Sequence, residues 1–152
     1  MYDILIKNGT VVDGTGSKPY KKNIAIKDEK MYFVDGTVEA NRVIDAEGRI
    51  VTPGFIDTHS HSSMLVIEDS YLAPKLFQGI TTELVAQDGM GPAPVNNETV
   101  KPWKKAMAGL EGEYDYEWDW RSVEEYLNKV DKLDLGPNIA YLAPHGNVRM
   151  VS

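Results

Sequence analysis

The sequence has no cysteine, so neither a disulfide framework nor a thiolate metal site can be built from it. Histidine is scarce: three residues, His59, His61 and His145. Basic residues are outnumbered, 16 Lys and Arg against 23 Asp and Glu, for a formal net charge of −7. With no basic stripe, that balance argues against a nucleic-acid partner, whose phosphates are met by clustered Lys and Arg. No apolar run approaches the roughly 20 residues of a membrane-spanning helix. The opening Met1-Tyr-Asp-Ile-Leu-Ile-Lys7 lacks the basic-then-apolar order of a signal peptide. A cytoplasmic protein with no membrane partner is the expectation. No internal repeat or low-complexity tract is visible.

What the chain does have is concentrated in Ile50-Val-Thr-Pro-Gly-Phe-Ile-Asp-Thr-His-Ser-His61. Phe55 to His61 reads as a strand, and side chains two apart on a strand share a face. His59 and His61 would then point the same way, with Asp57 and Phe55 below them. Two converging neutral imidazoles suit a divalent metal such as zinc. A bare His-x-His is more often a pair of surface histidines, and the preceding Pro-Gly-Phe-Ile-Asp is what favours a site.

The run from Val51 to His61 resembles the signature of the metal-dependent amidohydrolase superfamily. The resemblance implies an α/β fold: N-terminal strands of a small β-sandwich, then the first βα units of a (β/α)8 barrel. Both histidines would belong to a metal centre at the C-terminal ends of the barrel strands. Gln78-Gly-Ile-Thr-Thr82, Asp88-Gly89, Pro92-Ala-Pro94, Trp118-Asp-Trp120, Glu125-Tyr126 and Asn138 to Arg149 extend the likeness to the N-acyl-D-amino-acid deacylases, also called D-aminoacylases. Many of those carry a metal-ligating cysteine in Asn-Cys-Gly where this chain has Gln87-Asp88-Gly89. Asp88 is therefore expected as a carboxylate metal or near-metal residue; an ordinary Asp-Gly turn is the plain alternative.

A (β/α)8 barrel takes about 250 residues by itself, whereas this sequence has 152. The division expected is 1–52 for the sandwich part and 53–152 for an incomplete, truncated barrel of about three βα units. The missing C-terminal part of the barrel would then be a required partner, and the chain alone would be inactive.

Along the chain, residues 1–52 read as short strands, with a hairpin at Asn8-Gly9 returning through Thr10-Val-Val12. A second hairpin turns at Asp28-Glu29-Lys30. Leu72 to Gln78 reads as a short helix with Pro74 in its first turn and Gly79 beyond its end. Ile80 to Asp88 reads as the second barrel strand. Residues 89–121 read as largely irregular, with a short helix over 101–109. Ser122-Val-Glu-Glu125 is a capping box, followed by Val123, Tyr126, Leu127 and Val130 on one helical face. Asn138 to Ala143 reads as the third strand. Apolar Val148, Met150 and Val151 have no obvious partner.

From the resemblance, His145 is expected near the substrate and Arg149 as a bidentate partner for its carboxylate; a loop histidine and a surface arginine are the plain readings. Asp57 is expected to orient a ligand histidine from behind. The tryptophans, Tyr114 and Tyr116 are expected mainly in packing. The reaction implied is hydrolysis of an N-acyl-D-amino acid with one or two divalent metals, zinc first. In the family the general base is an aspartate of a late barrel strand, outside this sequence. A cyclic amidase of the dihydroorotase or hydantoinase type, or a non-catalytic fragment that needs a partner, are the alternatives.

Overall fold

Tyr2–Lys7 forms β1, the first of ten strands in a computed structural model describing residues 1–152. The chain divides into two units, Met1–Pro53 and Gly54–Ser152. No helix is long and apolar enough to cross a membrane.

In the N-terminal unit the strands are β1, β2 (Thr10–Val11), β3 (Tyr20–Lys21), β4 (Asn23–Lys27), β5 (Lys30–Val34), β6 (Ala40–Asp45) and β7 (Ile50–Val51). They form two sheets, one ordered β5-β4-β1-β6 and the other β3-β2-β7. The Asp28-Glu29 turn between β4 and β5 is a two-residue hairpin with both residues left-handed, at φ of 50° and 61°.

The hairpin expected at Asn8-Gly9 does not form. β1 pairs antiparallel with β4 and parallel with β6, while β2 belongs to the other sheet. Asn8 does turn the chain through a left-handed conformation, φ 60°. Its side-chain amide is held by both Asp45 oxygens at 3.0 Å, and its backbone N–H by the Asn23 side chain. Those distant partners steer the chain from one sheet into the next. Leu5 and Ala25, neighbours in the β1–β4 register, are fully buried.

The C-terminal unit carries a parallel sheet ordered β10-β9-β8, from Asn138–Tyr141, Ile80–Val85 and Phe55–Asp57. Parallel neighbours need crossover connections, and helices supply them. Between β8 and β9 lie α1 (Leu65–Glu68) and α2 (Ala73–Leu76); between β9 and β10 lie α3 (Val100–Glu111) and α4 (Val123–Val130). Last comes α5, His145–Val151. The result is a mixed α/β fold.

Local chemistry explains several boundaries. Pro74 sits in the first turn of α2, and Gly79, at φ 80°, follows that helix. The capping box of α4 is complete: Ser122 Oγ accepts the Glu125 N–H, and Glu125 accepts the Ser122 N–H. The helix expected within 101–109 is longer, twelve residues, because Val100, Trp103 and Met107 form a stripe that packs on the core. The C-terminal apolar residues, unplaced in the sequence, belong to α5, where Met150 reaches the same core.

That core gathers Met64, Val66, Leu72, Met107, Trp118, Trp120, Tyr126 and Val130, each 4 % exposed or less. Trp118 and Trp120 stack, and Tyr126 meets Trp120 edge-on. Trp120 Nε1 donates to the Pro92 carbonyl and Tyr126 Oη to that of Ser63, whereas the Trp118 Nε1–H is buried without a partner. Asn147, fully buried, donates to the carbonyls of Gly91 and Pro94 and accepts the Gly91 N–H, pinning the 91–94 loop to α5.

Candidate metal centre

The strand carrying the histidines ends earlier than its sequence pattern predicts. β8 stops at Asp57, and His59 and His61 lie in the segment beyond it. Asp57 ends the strand itself: its Oδ1 accepts the His59 N–H at 3.2 Å, a local side-chain bond that replaces ladder pairing. The Ser60 N–H then returns to the Leu84 carbonyl on β9. The two imidazoles still converge, with ring centroids 5.3 Å apart.

β9 likewise stops at Val85 rather than running to Asp88. Ala86 turns left-handed at φ 65°, and Gln87–Gly89 makes a single 3₁₀ turn with Asp88 at φ 58°. A positive φ is costly for alanine and better tolerated by aspartate. The turn lifts Asp88 toward the histidines. Asp88 Oδ2 lies 3.1 Å from His59 Nε2 and 3.2 Å from His61 Nε2. The three donor atoms all fall within 4.8 Å of one another.

Two imidazole nitrogens and one carboxylate oxygen are the donor types that zinc takes. The group is open on one side: the side chains of His59 and Asp88 are 58 % and 52 % exposed, that of His61 22 %. An open face leaves room for a water or substrate. The chemistry of the donor set therefore fits a divalent metal.

Behind the group lies an ion network that sequence reading missed. Lys75 Nζ, from α2, is 2.7 Å from both Asp57 Oδ2 and Glu83 Oε1, and donates to Ser60 Oγ at 3.2 Å. Glu83, on β9, is fully buried and also accepts from Ser62 Oγ. Burial pulls the Lys75 ammonium down, but the two carboxylates outweigh it and hold it above its ordinary value. The Lys75 hydrogen bond, helped by the His59 N–H, holds the Asp57 carboxyl below its ordinary value. Asp57 thus engages the backbone of His59 and an ammonium.

The carboxylate that faces an imidazole on the side away from Asp88 is Glu111, on α3, with its Oε1 3.6 Å from His61 Nδ1. Burial pushes the Glu111 carboxyl up, while Ser63, Met64 and His61 pull the other way. Its one sequence signal is an acid continuing the stripe Val100, Trp103, Met107 at helical spacing. Glu83 had a comparable signal, an acid inside the β-branched run Ile80 to Val85.

His145 and Arg149 both lie on α5, one turn apart and exposed. The backbone of this helix start passes close to the Asp88 turn: a Cβ on Gly89 would sit 3.4 Å from the Gly146 nitrogen. Tyr114 and Tyr116 stack at 5.7 Å and pack on the core, with Tyr116 Oη donating to the Met64 carbonyl.

A model of the amidohydrolase family matches residues 42–150. The chain belongs to the amidohydrolase family. The N-acyl-D-glutamate deacylase of Alcaligenes xylosoxydans xylosoxydans is 32 % identical over 154 residues, covering 99 % of this chain and 30 % of that enzyme. Among solved structures, the N-acyl-D-glutamate deacylase of Bordetella bronchiseptica, complexed with zinc and a phosphonate mimic of the tetrahedral intermediate, matches with a TM-score of 0.84. Identity is 32 %, over 97 % of this chain and 30 % of that one. A D-aminoacylase structure with a binuclear metal centre matches with a TM-score of 0.81 and 25 % identity, over 98 % and 31 %. The chain thus spans about a third of the length of these relatives.

Proposed function

We propose that this chain forms part of the active site of an enzyme that hydrolyses the amide bond of N-acyl-D-amino acids, giving a carboxylate and a free D-amino acid. The observation that carries the reading is the convergence of His59, His61 and Asp88. Its support is the likeness to deacylases named for that substrate class.

In this reading His59 and His61 hold a divalent metal, zinc first, through Nε2, and Asp88 offers a carboxylate oxygen. When bound, the metal supplies Lewis-acid polarisation of the amide carbonyl and acidifies water at the site. Asp57 fixes the backbone from which His59 projects. His145, at the helix start beside the Asp88 turn, and Arg149, one turn further along α5, meet the substrate, with the Arg149 guanidinium as a fork for its carboxylate.

The reading also assigns the two units to a partial β-sandwich and the opening βα units of a (β/α)8 barrel. The outer edges of β8 and β10 have no hydrogen-bonded neighbour, and β5 exposes Met31, Tyr32 and Phe33. Further strands would cover both. The general base lies elsewhere: Asp88 is engaged by both imidazoles, and Glu111 is buried behind His61. On that basis the 152 residues alone are inactive and gain activity with the rest of the barrel.

The test is hydrolysis by the intact, zinc-loaded protein of N-acyl-D-amino acids, their L-enantiomers and hydantoins. Turnover of the acyclic D-substrates is expected. Preference for hydantoins would replace the reading with a cyclic amidase, and no hydrolysis of any amide would end it.

A further inference from the structure

Glu111 is 3 % exposed, and only one of its oxygens is used. Oε2 accepts the Ser63 hydroxyl at 2.7 Å and the Met64 N–H at 3.1 Å. Oε1 is buried without a hydrogen-bond partner, and so is Nδ1 of His61. These two atoms face each other at 3.6 Å. A water bonded to both atoms at about 2.7–3.2 Å would sit beside the line between them with an acute angle at its oxygen, a poor hydrogen-bond geometry. Neither atom has another partner, and a buried polar group left unpaired is costly. A small side-chain shift closes the gap.

We infer that Glu111 is a positioning residue that accepts the His61 Nδ1–H and so fixes the tautomer of that ring. The inference rests on reading His61 as a metal ligand. A neutral imidazole carries one proton, and a carboxylate can only accept. With a cation held between Nε2 and Asp88, the one proton must lie on Nδ1, where a carboxylate accepts it and holds the ring; without a cation Asp88 Oδ2, 3.2 Å from Nε2, competes for the same proton.

Glu111 is itself fixed by the segment it serves, since Ser63 and Met64 follow His61 by two and three residues. Those two bonds hold the carboxylate in register with the ring. His59 lies further out, its side chain 58 % exposed. His61 is the ligand held in advance, and His59 the one that adjusts.

The experiment uses the intact protein with ¹⁵N-labelled histidine. In metal-free Asp88→Gly, which keeps the left-handed φ of 58° and removes the competing carboxylate, the His61 ring, assigned by its loss in His61→Asn, should show the proton on Nδ1. In Glu111→Gln the side-chain oxygen can keep Ser63 and Met64 while the amide nitrogen donates toward His61 Nδ1. The proton should then move to Nε2. Zinc affinity, by competition with a chromophoric chelator, should fall about 10–100-fold with little change in the unfolding midpoint of the metal-free protein.

His61 protonated on Nε2 in metal-free Asp88→Gly would overturn the inference, because no carboxylate faces Nε2 there to draw the proton away from Glu111. Glu111→Gln binding zinc as tightly as a zinc-binding wild type would overturn this inference alone. A wild type that takes up no zinc would overturn the metal reading as well.

Discussion

Gln87 ties the Asp88 turn to the histidine segment: its Nε2 donates to the Thr58 carbonyl at 2.8 Å and to that of Leu84 at 3.0 Å. Thr58 immediately precedes His59, so one amide joins the ends of β8 and β9. The separation of Asp88 from the imidazoles is set by backbone bonds as well as by the side chains themselves.

Replacing His59 and His61 together with alanine should abolish zinc uptake and zinc-dependent amide hydrolysis in the intact protein. The loss should exceed the roughly 10–100-fold that follows from removing an outer-shell partner. Metal content by elemental analysis, alongside initial rates, checks this; unchanged content would remove both histidines from the centre.

Asp88→Asn separates metal binding from folding. Asparagine tolerates the left-handed φ of 58° that Asp88 adopts, whereas alanine would add backbone strain. Zinc occupancy should drop while the thermal midpoint of the metal-free protein stays nearly unchanged. Equal occupancy in both proteins would place Asp88 outside the metal's contacts.

The Lys75 network makes a signed pH prediction. Asp57 is held below its ordinary 3.8, so its contribution is complete above that value and lost as pH falls through its lower folded pKa. Lys75 is held above its ordinary 10.5, so its contribution is complete below that value and lost as pH rises through its higher folded pKa. In between, the network should add no pH dependence. Lys75→Met should destabilise by up to about 3–5 kcal/mol near neutrality, because Glu83 is left buried without its cation. Urea midpoints across pH for the wild type check both flanks, and the midpoint of the variant at neutral pH checks its loss.

Gly136→Ala should be among the costlier single-methyl additions. The new Cβ would press into the Tyr71 carbonyl, and the Gly136 N–H already donates to the Ser70 carbonyl at 2.9 Å, so the backbone has little freedom to retreat. A loss of about 1–3 kcal/mol is expected in denaturant unfolding. A loss below a few tenths would mean that this junction yields.

Ser122→Ala removes the N-cap of α4 and should cost about 1 kcal/mol. Glu125→Ala removes the reciprocal half of the box, and the double variant should cost less than the sum of the two. Additive losses would mean that the halves act independently.

Features written in neighbouring residues were legible in the sequence. The His-x-His run, the Ser122 capping box, Pro74 and Gly79 around α2, and the Asp28-Glu29 turn all act within a few positions. The failures share a different cause. Asn8-Gly9 looked like a hairpin because its local preference was right, yet Asn23 and Asp45 decided where the chain went next. The strand through His61 ended early because the Asp57 side chain competed with the ladder. Glu111 was invisible as a partner of His61 because fifty residues separate them. A buried acid on an apolar helical stripe was its only trace, and that trace does not say which group it meets.

All three tryptophans, Trp103, Trp118 and Trp120, fall in the C-terminal unit, and the N-terminal unit has only tyrosine and phenylalanine as aromatics. Trp118 and Trp120 are stacked at 5.3 Å with planes 22° apart, inside a buried cluster. Indole emission excited at the red edge of the band is therefore an optical reporter for one unit alone. The buried, fixed indoles should also give bands in near-ultraviolet circular dichroism. Followed beside the far-ultraviolet signal, which sums over both units, these bands would reveal whether the two melt together or in sequence.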